Sequence, residues 1–428
     1  MGLRLDVEAL AERRLPSRAE LDAACPERPA LVLAHDAHSA SGNGRALAAA
    51  GIAAGTADPP GGRIERDAAG APAGPCRESA AQLLMGAVPT PTPERLRETA
   101  AASFGQLAAC GITSAGVVLQ TDDEGPGGAS ARLEAFAMAL LLDATPFATY
   151  ALLIGRTPAA AVAARGTPLH DPAAGRRVGG YKIFADGTFG SCTAAMREPF
   201  ADRPGECGLV MLPEGELLGR MRAAHEAGLQ IAVHAIGDAA VARCVDLYER
   251  LLAEQPRADA RHRIEHASLV PPELVPRLAR LGIAISTQPL FIHSEKTWLH
   301  RRLGAERARQ VYPLRALVEA GVLVAGASDA PVESPAVLHA LQCCVTREGF
   351  EPQQGLTPAQ ALDLFTRQAA RIQFEEGEKG TLAPGKRADL VVLSESPLAV
   401  SPDRIAELRV LRTVCAGRVT HDAGELAA

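Results

Sequence analysis

Tyr181-Lys182-Ile183-Phe184-Ala185-Asp186 sets a lysine inside an apolar, β-type run and closes the run with a carboxylate. Three later runs end in the same way: Ile231-Ala232-Val233-His234, Arg263-Ile264-Glu265-His266, and Val322-Leu323-Val324-Ala325 followed by Gly326-Ala327-Ser328-Asp329. Parallel strands of an α/β barrel present catalytic side chains at their C-terminal ends, so groups placed at successive strand ends converge on one site. The order of the four runs therefore argues for such a barrel more strongly than any one of them.

On either side of these runs, apolar segments alternate with helical spacers, the pattern of βαβ units. Strands are expected at Ile112 to Leu119, Phe147 to Ile154, 179–185, 230–234, 261–266, 283–287 and 322–327. Helices are expected at Pro93 to Cys110, Ser130 to Leu142, Glu214 to Ala227, Asp238 to Glu254 and Thr357 to Ile372. Seven strands is one short of a closed barrel. The fold class is thus α/β, a TIM-like (β/α)8 barrel lacking its first strand, over residues 93–373. Residues 1–92, with a Gly/Pro-rich stretch from Gly55 to Pro75, read as a loop-rich insertion, and 374–428 as part of a small β-sandwich domain.

Composition limits the function. The 428 residues are 47% hydrophobic, enough for a large core, and the net charge of -6 leaves no basic footprint for nucleic acid or anionic lipid. Nine cysteines without a Cys-x-x-Cys suggest neither a disulfide framework nor a cysteine-zinc site, which fits a reducing cytoplasm. No run of about 20 apolar residues is present to span a membrane. A small-molecule substrate is the expected partner, with self-association open.

A lysine buried in an apolar strand loses hydration and its amine shifts toward neutrality. Neutral amine can take up carbon dioxide as a carbamate, whose two oxygens can each bind a divalent ion. Alone, Lys182 is better read as snorkelling to water or pairing with Asp186. His234 and His266 alone are better read as hydrogen-bonded core or turn histidines. Together the three supply the donors of a catalytic zinc site with a position left open. Asp329 is either a turn residue before Pro331 or a carboxylate that touches the metal and acts as general base, then acid; its neighbours favour the second. Asp186 shares a face with Lys182 and Phe184 and is read as supporting that lysine, while Gly237 and Asp238 read as structural, Asp238 capping a helix. His35 and His38, three apart, do not form a His-x-His chelate, but His38 can reach substrate. His170, His225, His293, His300, His339 and His421 are mostly expected in solvent.

These residues resemble the amidohydrolase superfamily, in the branch of large metal-dependent amidohydrolases that includes N-substituted formamide deformylases. The likeness runs nearly end to end, through Arg18 to Pro29, His38 to Asn43, Lys182 to Gly187, His234 to Asp238, Arg261 to His266, Gln288-Pro289, Gly326 to Pro331 and Gly380 to Leu393. It implies a carboxylated bridging ligand at Lys182, ligands of the more exposed metal at His234 and His266, and a catalytic, metal-touching carboxylate at Asp329. His38, Asp186 and Gln288 become the expected substrate surround, and one or two divalent ions, zinc first, the cofactor. The family's opening His-x-His strand has no counterpart, as expected of a chain whose start was assigned downstream. The function expected is hydrolysis of an amide, formamide or cyclic amide by metal-activated water. The rivals are a truncated, catalytically impaired remnant that binds a ligand, and an aldolase or isomerase using Lys182 as a Schiff-base amine.

Overall fold

All seven apolar runs expected as barrel strands are strands in the computed structural model, which describes residues 2–89, 91–120 and 147–425. The N-terminal part comes first in the chain, with strands β1 (Gly2–Leu5), β2 (Leu31–Ala34), β3 (Ser39–Gly42), β4 (Gly62–Arg66) and β5 (Pro72–Glu78) in one sheet of order β1-β2-β3-β5-β4. The seven that follow are β6 (Ser114–Gln120), β7 (Ala148–Ile154), β8 (Arg176–Phe184), β9 (Gln230–Ala235), β10 (Arg263–His266), β11 (Ala284–Thr287) and β12 (Val324–Gly326). They lie side by side in chain order, and every neighbouring pair is parallel. From β7 onward, helices of the βα units separate them, as in α/β barrels. The helix expected at Ser130 to Leu142 lies outside the described residues.

Each crossover helix buries one stripe. Along Asp238–Glu254, Val241, Cys244, Val245, Tyr248 and Leu251 are buried against the sheet, a spacing of three and four that keeps one face of a 3.6-residue helix inward. Ile231, Val233, Ile264 and Ile285 meet them from the strands. The helix expected over Thr357 to Ile372 is in fact two, Pro358–Phe365 and Arg367–Ile372, broken at Thr366. There the threonine hydroxyl donates to the Leu362 carbonyl at 2.8 Å, a local bond that competes with helix continuation.

Where composition suggested loops, the five-stranded N-terminal sheet and three helices stand instead. Ser39-Ala40-Ser41-Gly42 and Pro72-Ala73-Gly74-Pro75-Cys76 lack the branched and aromatic residues that mark strands, so their pairing was not readable locally. Gly74 shows why the stretch is glycine-rich. Its φ is +116°, and a Cβ there would stand 2.5 Å from the Arg18 backbone nitrogen. At the other end of the chain, β13 (Leu390–Leu393), β14 (Val410–Cys415) and β15 (Arg418–Asp422) form a small antiparallel sheet. It is tied to the helix Pro93–Ala109 by Thr413 Oγ1 donating to the Ala108 carbonyl at 2.7 Å.

His225, expected in solvent, is buried instead and paired with His262, because a helix face and a strand entrance close over both. The Ile231 N–H donates to His262 Nδ1 at 3.0 Å, so the His262 proton resides on Nε2 and points to His225 Nδ1, 2.8 Å away. Burial, then the neighbouring His225 and Arg257, push His262 down to about 3. Between pH 6.5 and 3 the unfolded chain therefore binds a proton that the folded chain refuses, and stability falls as pH falls, by up to about 1.4 kcal/mol per unit. Urea unfolding at pH 7 and pH 5 is expected to show a smaller loss in His262→Gln than in the parent; equal losses would assign the acid sensitivity elsewhere.

Candidate active site

Strand register decides which side chains meet. Phe184 of β8 lies opposite His234 of β9, which lies opposite Glu265 of β10, one residue before His266. Lys182, two residues back from Phe184, shares its side of the sheet. The ammonium sits 4.2 Å from the centre of the Phe184 ring. Lys182 is only 5% exposed, and among the described residues it makes no ion pair, its nearest recorded acceptor being the Ile183 carbonyl at 3.5 Å. Burial lowers its amine to about 8, against the raising influence of Glu265 and Asp329. A fraction of the amine is therefore neutral near pH 7 to 8.

The Asp186 pairing that the sequence left open for Lys182 is pre-empted. Both Asp186 oxygens accept backbone N–H groups, from Ala195 and Gly237 at 2.8 Å and Ile236 at 3.0 Å. Asp186 is fully buried and outside the cavity lining; it holds the turn after β9, and its Oδ1 lies 3.6 Å from His234 Nε2. Burial raises its carboxyl to about 7 despite those three donors. Asp238, expected as a cap, is the first residue of its helix, with Gly237 at the cap position. Its carboxylate accepts the Arg197 N–H at 3.0 Å.

His234 Nε2 lies 3.1 Å from the Gly187 carbonyl, which fixes the proton on Nε2 and leaves the Nδ1 lone pair available. His266 stands at the end of β10 with φ +71°, a conformation a non-glycine residue adopts at a cost of about 1 kcal/mol. Its ring centre is 4.5 Å from that of His234, and it stacks on Phe291 at 6.1 Å. Burial, then the neighbouring cations, hold both imidazoles well below the usual range, and hence neutral. His266 Nδ1 is buried without a hydrogen-bond partner, as is Gln288 Oε1. The Gln288 side chain is the neighbour that favours protonation of the His266 ring, and two adjacent neutral imidazoles are donors of the kind that suit a borderline divalent ion.

Asp329 follows β12 with φ +59° and opens into a cavity of about 430 Å³ that His38, His234 and His266 also line. The enclosing protein raises its carboxyl to about 6, with Lys182 and His38 pulling the other way. His234, His266 and Asp329 share the cavity without closing as a trio. Among the described residues, the ligand atoms that lie within 4.8 Å of one another belong to His293, His339 and Glu348. Lys182 and Gln288, 5% and 2% exposed, are not among the residues that line the cavity.

Glu78 gave no sequence signal, since it ends a strand in the stretch read as loops. Its Oε2 is 2.6 Å from His38 Nδ1, and the His38 ring centre is 5.1 Å from that of His234. Burial alone would depress His38, but Glu78, Asp36 and Asp329 outweigh it and lift the ring to about 9. Glu295 also lines the cavity. Burial raises it to about 8 although the Tyr312 hydroxyl, 2.7 Å away, favours its charged form. Gly187 leaves room for Glu78, because a Cβ there would meet Glu78 Oε1 at 2.1 Å and Thr193 Oγ1 at 2.2 Å. Gly187→Ala is expected to cost about 1–3 kcal/mol in denaturant unfolding, as overpacking does, and to lower the His38 pKa seen by NMR. An unchanged His38 titration would detach Gly187 from the site.

Comparison with known proteins follows the same line. A family model described as amidohydrolase family matches residues 3–421. The chain is 33% identical over 413 residues to the putative amidohydrolase YtcJ of Bacillus subtilis, covering 94% of this chain and 76% of that one. It is 28% identical over 438 residues to the N-substituted formamide deformylase of Arthrobacter pascens, covering 98% and 78%. The structure of an uncharacterized metal-dependent hydrolase from Pyrococcus furiosus superposes with a TM-score of 0.69 at 26% identity, covering 93% and 78%. No helix among the described residues is long and apolar enough to cross a membrane.

Proposed function

The chain belongs to the amidohydrolase family and is an enzyme of the hydrolase class, and from that premise we propose that it cleaves a non-peptide C–N bond, in an amide, formamide or cyclic amide. The observation that carries the reading is the buried, unpaired amine of Lys182 set among two neutral imidazoles at neighbouring strand ends. Lys182 as its carbamate, His234 and His266 would hold one or two divalent ions, zinc in the first instance, with Asp329 beside them. When bound, such an ion supplies Lewis acidity, polarising a carbonyl and favouring ionisation of water near neutral pH.

The chain's own groups do the rest. Asp329, raised to about 6 by burial, accepts a proton from the attacking water and returns it to the leaving nitrogen. His38, kept cationic by Glu78, donates its remaining N–H toward the oxygen on which negative charge develops. Phe291 and Trp298 give the cavity an apolar wall that orients the acyl or amine substituent. Asp186 fixes the backbone around His234 by holding the Ile236 and Gly237 N–H groups.

Zinc-reconstituted protein offered a panel of N-substituted formamides, linear amides and cyclic amides is expected to release amine or open the ring with at least one class. Full metal occupancy with no turnover of any class would favour the ligand-binding remnant, and borohydride trapping of substrate on Lys182 would favour Schiff-base chemistry.

A further inference from the structure

On the far side of the short helix Phe291–Glu295, away from the cavity that Phe291 and Glu295 line, a second group of donors meets. His339 and Cys343 lie one turn apart on the helix Val337–Thr346. That helix ends in two left-handed residues, Arg347 at φ +50° and Glu348 at φ +47°, which turn the Glu348 carboxylate back over it. Glu348 Oε2 is 2.9 Å from His293 Nδ1, and Oε1 is 2.8 Å from His339 Nε2. The two imidazole rings are T-shaped at 4.6 Å, and Cys343 Sγ is 3.7 Å from Glu348 Oε1. All three ligand atoms of His293, His339 and Glu348 lie within 4.8 Å of one another.

We propose that His293, His339 and Glu348 form a second metal site, for one zinc-class divalent ion, separate from the catalytic cavity. Ligand atoms of a tetrahedral zinc stand about 3.3 Å apart, so the present spacing needs only small side-chain adjustments. Two ring nitrogens and one carboxylate select zinc-class ions over magnesium or calcium, which prefer all-oxygen shells. Lys296, whose ammonium is 2.5 Å from Glu348 Oε2, is the one cation in the way; its side chain is 30% exposed and can swing into solvent. His293 is half exposed, which gives an ion an entry path. The ligands come from two helices, so an ion here clamps the helix that carries Phe291 against the helix that follows Asp329.

The test compares parent protein with His293→Gln/His339→Gln, both stripped by chelator, returned to zinc in excess over all sites, dialysed free of unbound metal and analysed for bound metal. The double variant is expected to bind one ion fewer per chain while keeping its circular dichroism. Because only the difference is read, the result does not depend on how many ions the catalytic cavity holds or whether it turns over substrate. Equal stoichiometry would overturn the site. Should the double variant not fold, His293→Gln alone, at an exposed position, reads the same loss. Zinc-edge anomalous scattering from soaked parent crystals is expected to place a peak within bonding distance of all three side chains, and its absence there would also refute the proposal.

Discussion

Lys182→Ala is expected to give a folded chain that keeps no metal at the catalytic cavity and has lost at least about 10³-fold in kcat/KM. Fold is retained because Lys182 adds little to the core. Its ammonium is buried without an ion pair, so deleting it removes a desolvation cost of the same order as the packing that is lost. Function is not retained because His234 and His266 alone leave a two-donor site, short of the three protein ligands of catalytic zinc. Metal analysis after dialysis and steady-state kinetics measure the two halves separately. Unchanged metal content with lost activity would leave Lys182 a substrate contact, and unchanged activity would remove the carbamate altogether.

The second large effect is on the proton. Asp329→Asn keeps the size and left-handed backbone tolerance of the residue while removing the base, so a loss of about 10²- to 10⁴-fold in kcat is expected, with bound metal unchanged. The parent's rate is expected to fall as pH drops through about 6, where Asp329 takes up its proton and can no longer accept one from water. That acid limb is expected to vanish from the residual activity of the variant. A parent profile flat down to pH 5, or a variant that keeps the limb, would assign the proton transfer to another group.

The barrel was legible because its central strands are apolar runs that carry, at or near their C-terminal ends, residues whose chemistry is out of place in a core: Lys182, His234, His266. Such endings mark strand and site together. The N-terminal sheet was not legible, because Ser39–Gly42 and Pro72–Glu78 lack branched and aromatic residues, and they pair with each other across more than 30 positions as well as with their nearer neighbours β2 and β4. Glu78 was missed for the same reason, its role being set by His38 across that sheet and by the gap at Gly187. Asp186 shares a face with Lys182 in the sequence pattern, but its row of backbone N–H partners depends on loop geometry that no local spacing encodes. His225 and His262 became visible as a pair only when a helix and a strand from different βα units closed over them.

Whether Lys182, His234 and His266 share one ion is tested most directly by a crystal structure of the protein grown with zinc and bicarbonate. The expected result is an ion bonded to His234 and His266, with a carboxyl group on Lys182 Nζ reaching the same ion. A bare Lys182 amine, with zinc absent from the cavity and both imidazoles hydrogen-bonded elsewhere, would contradict it.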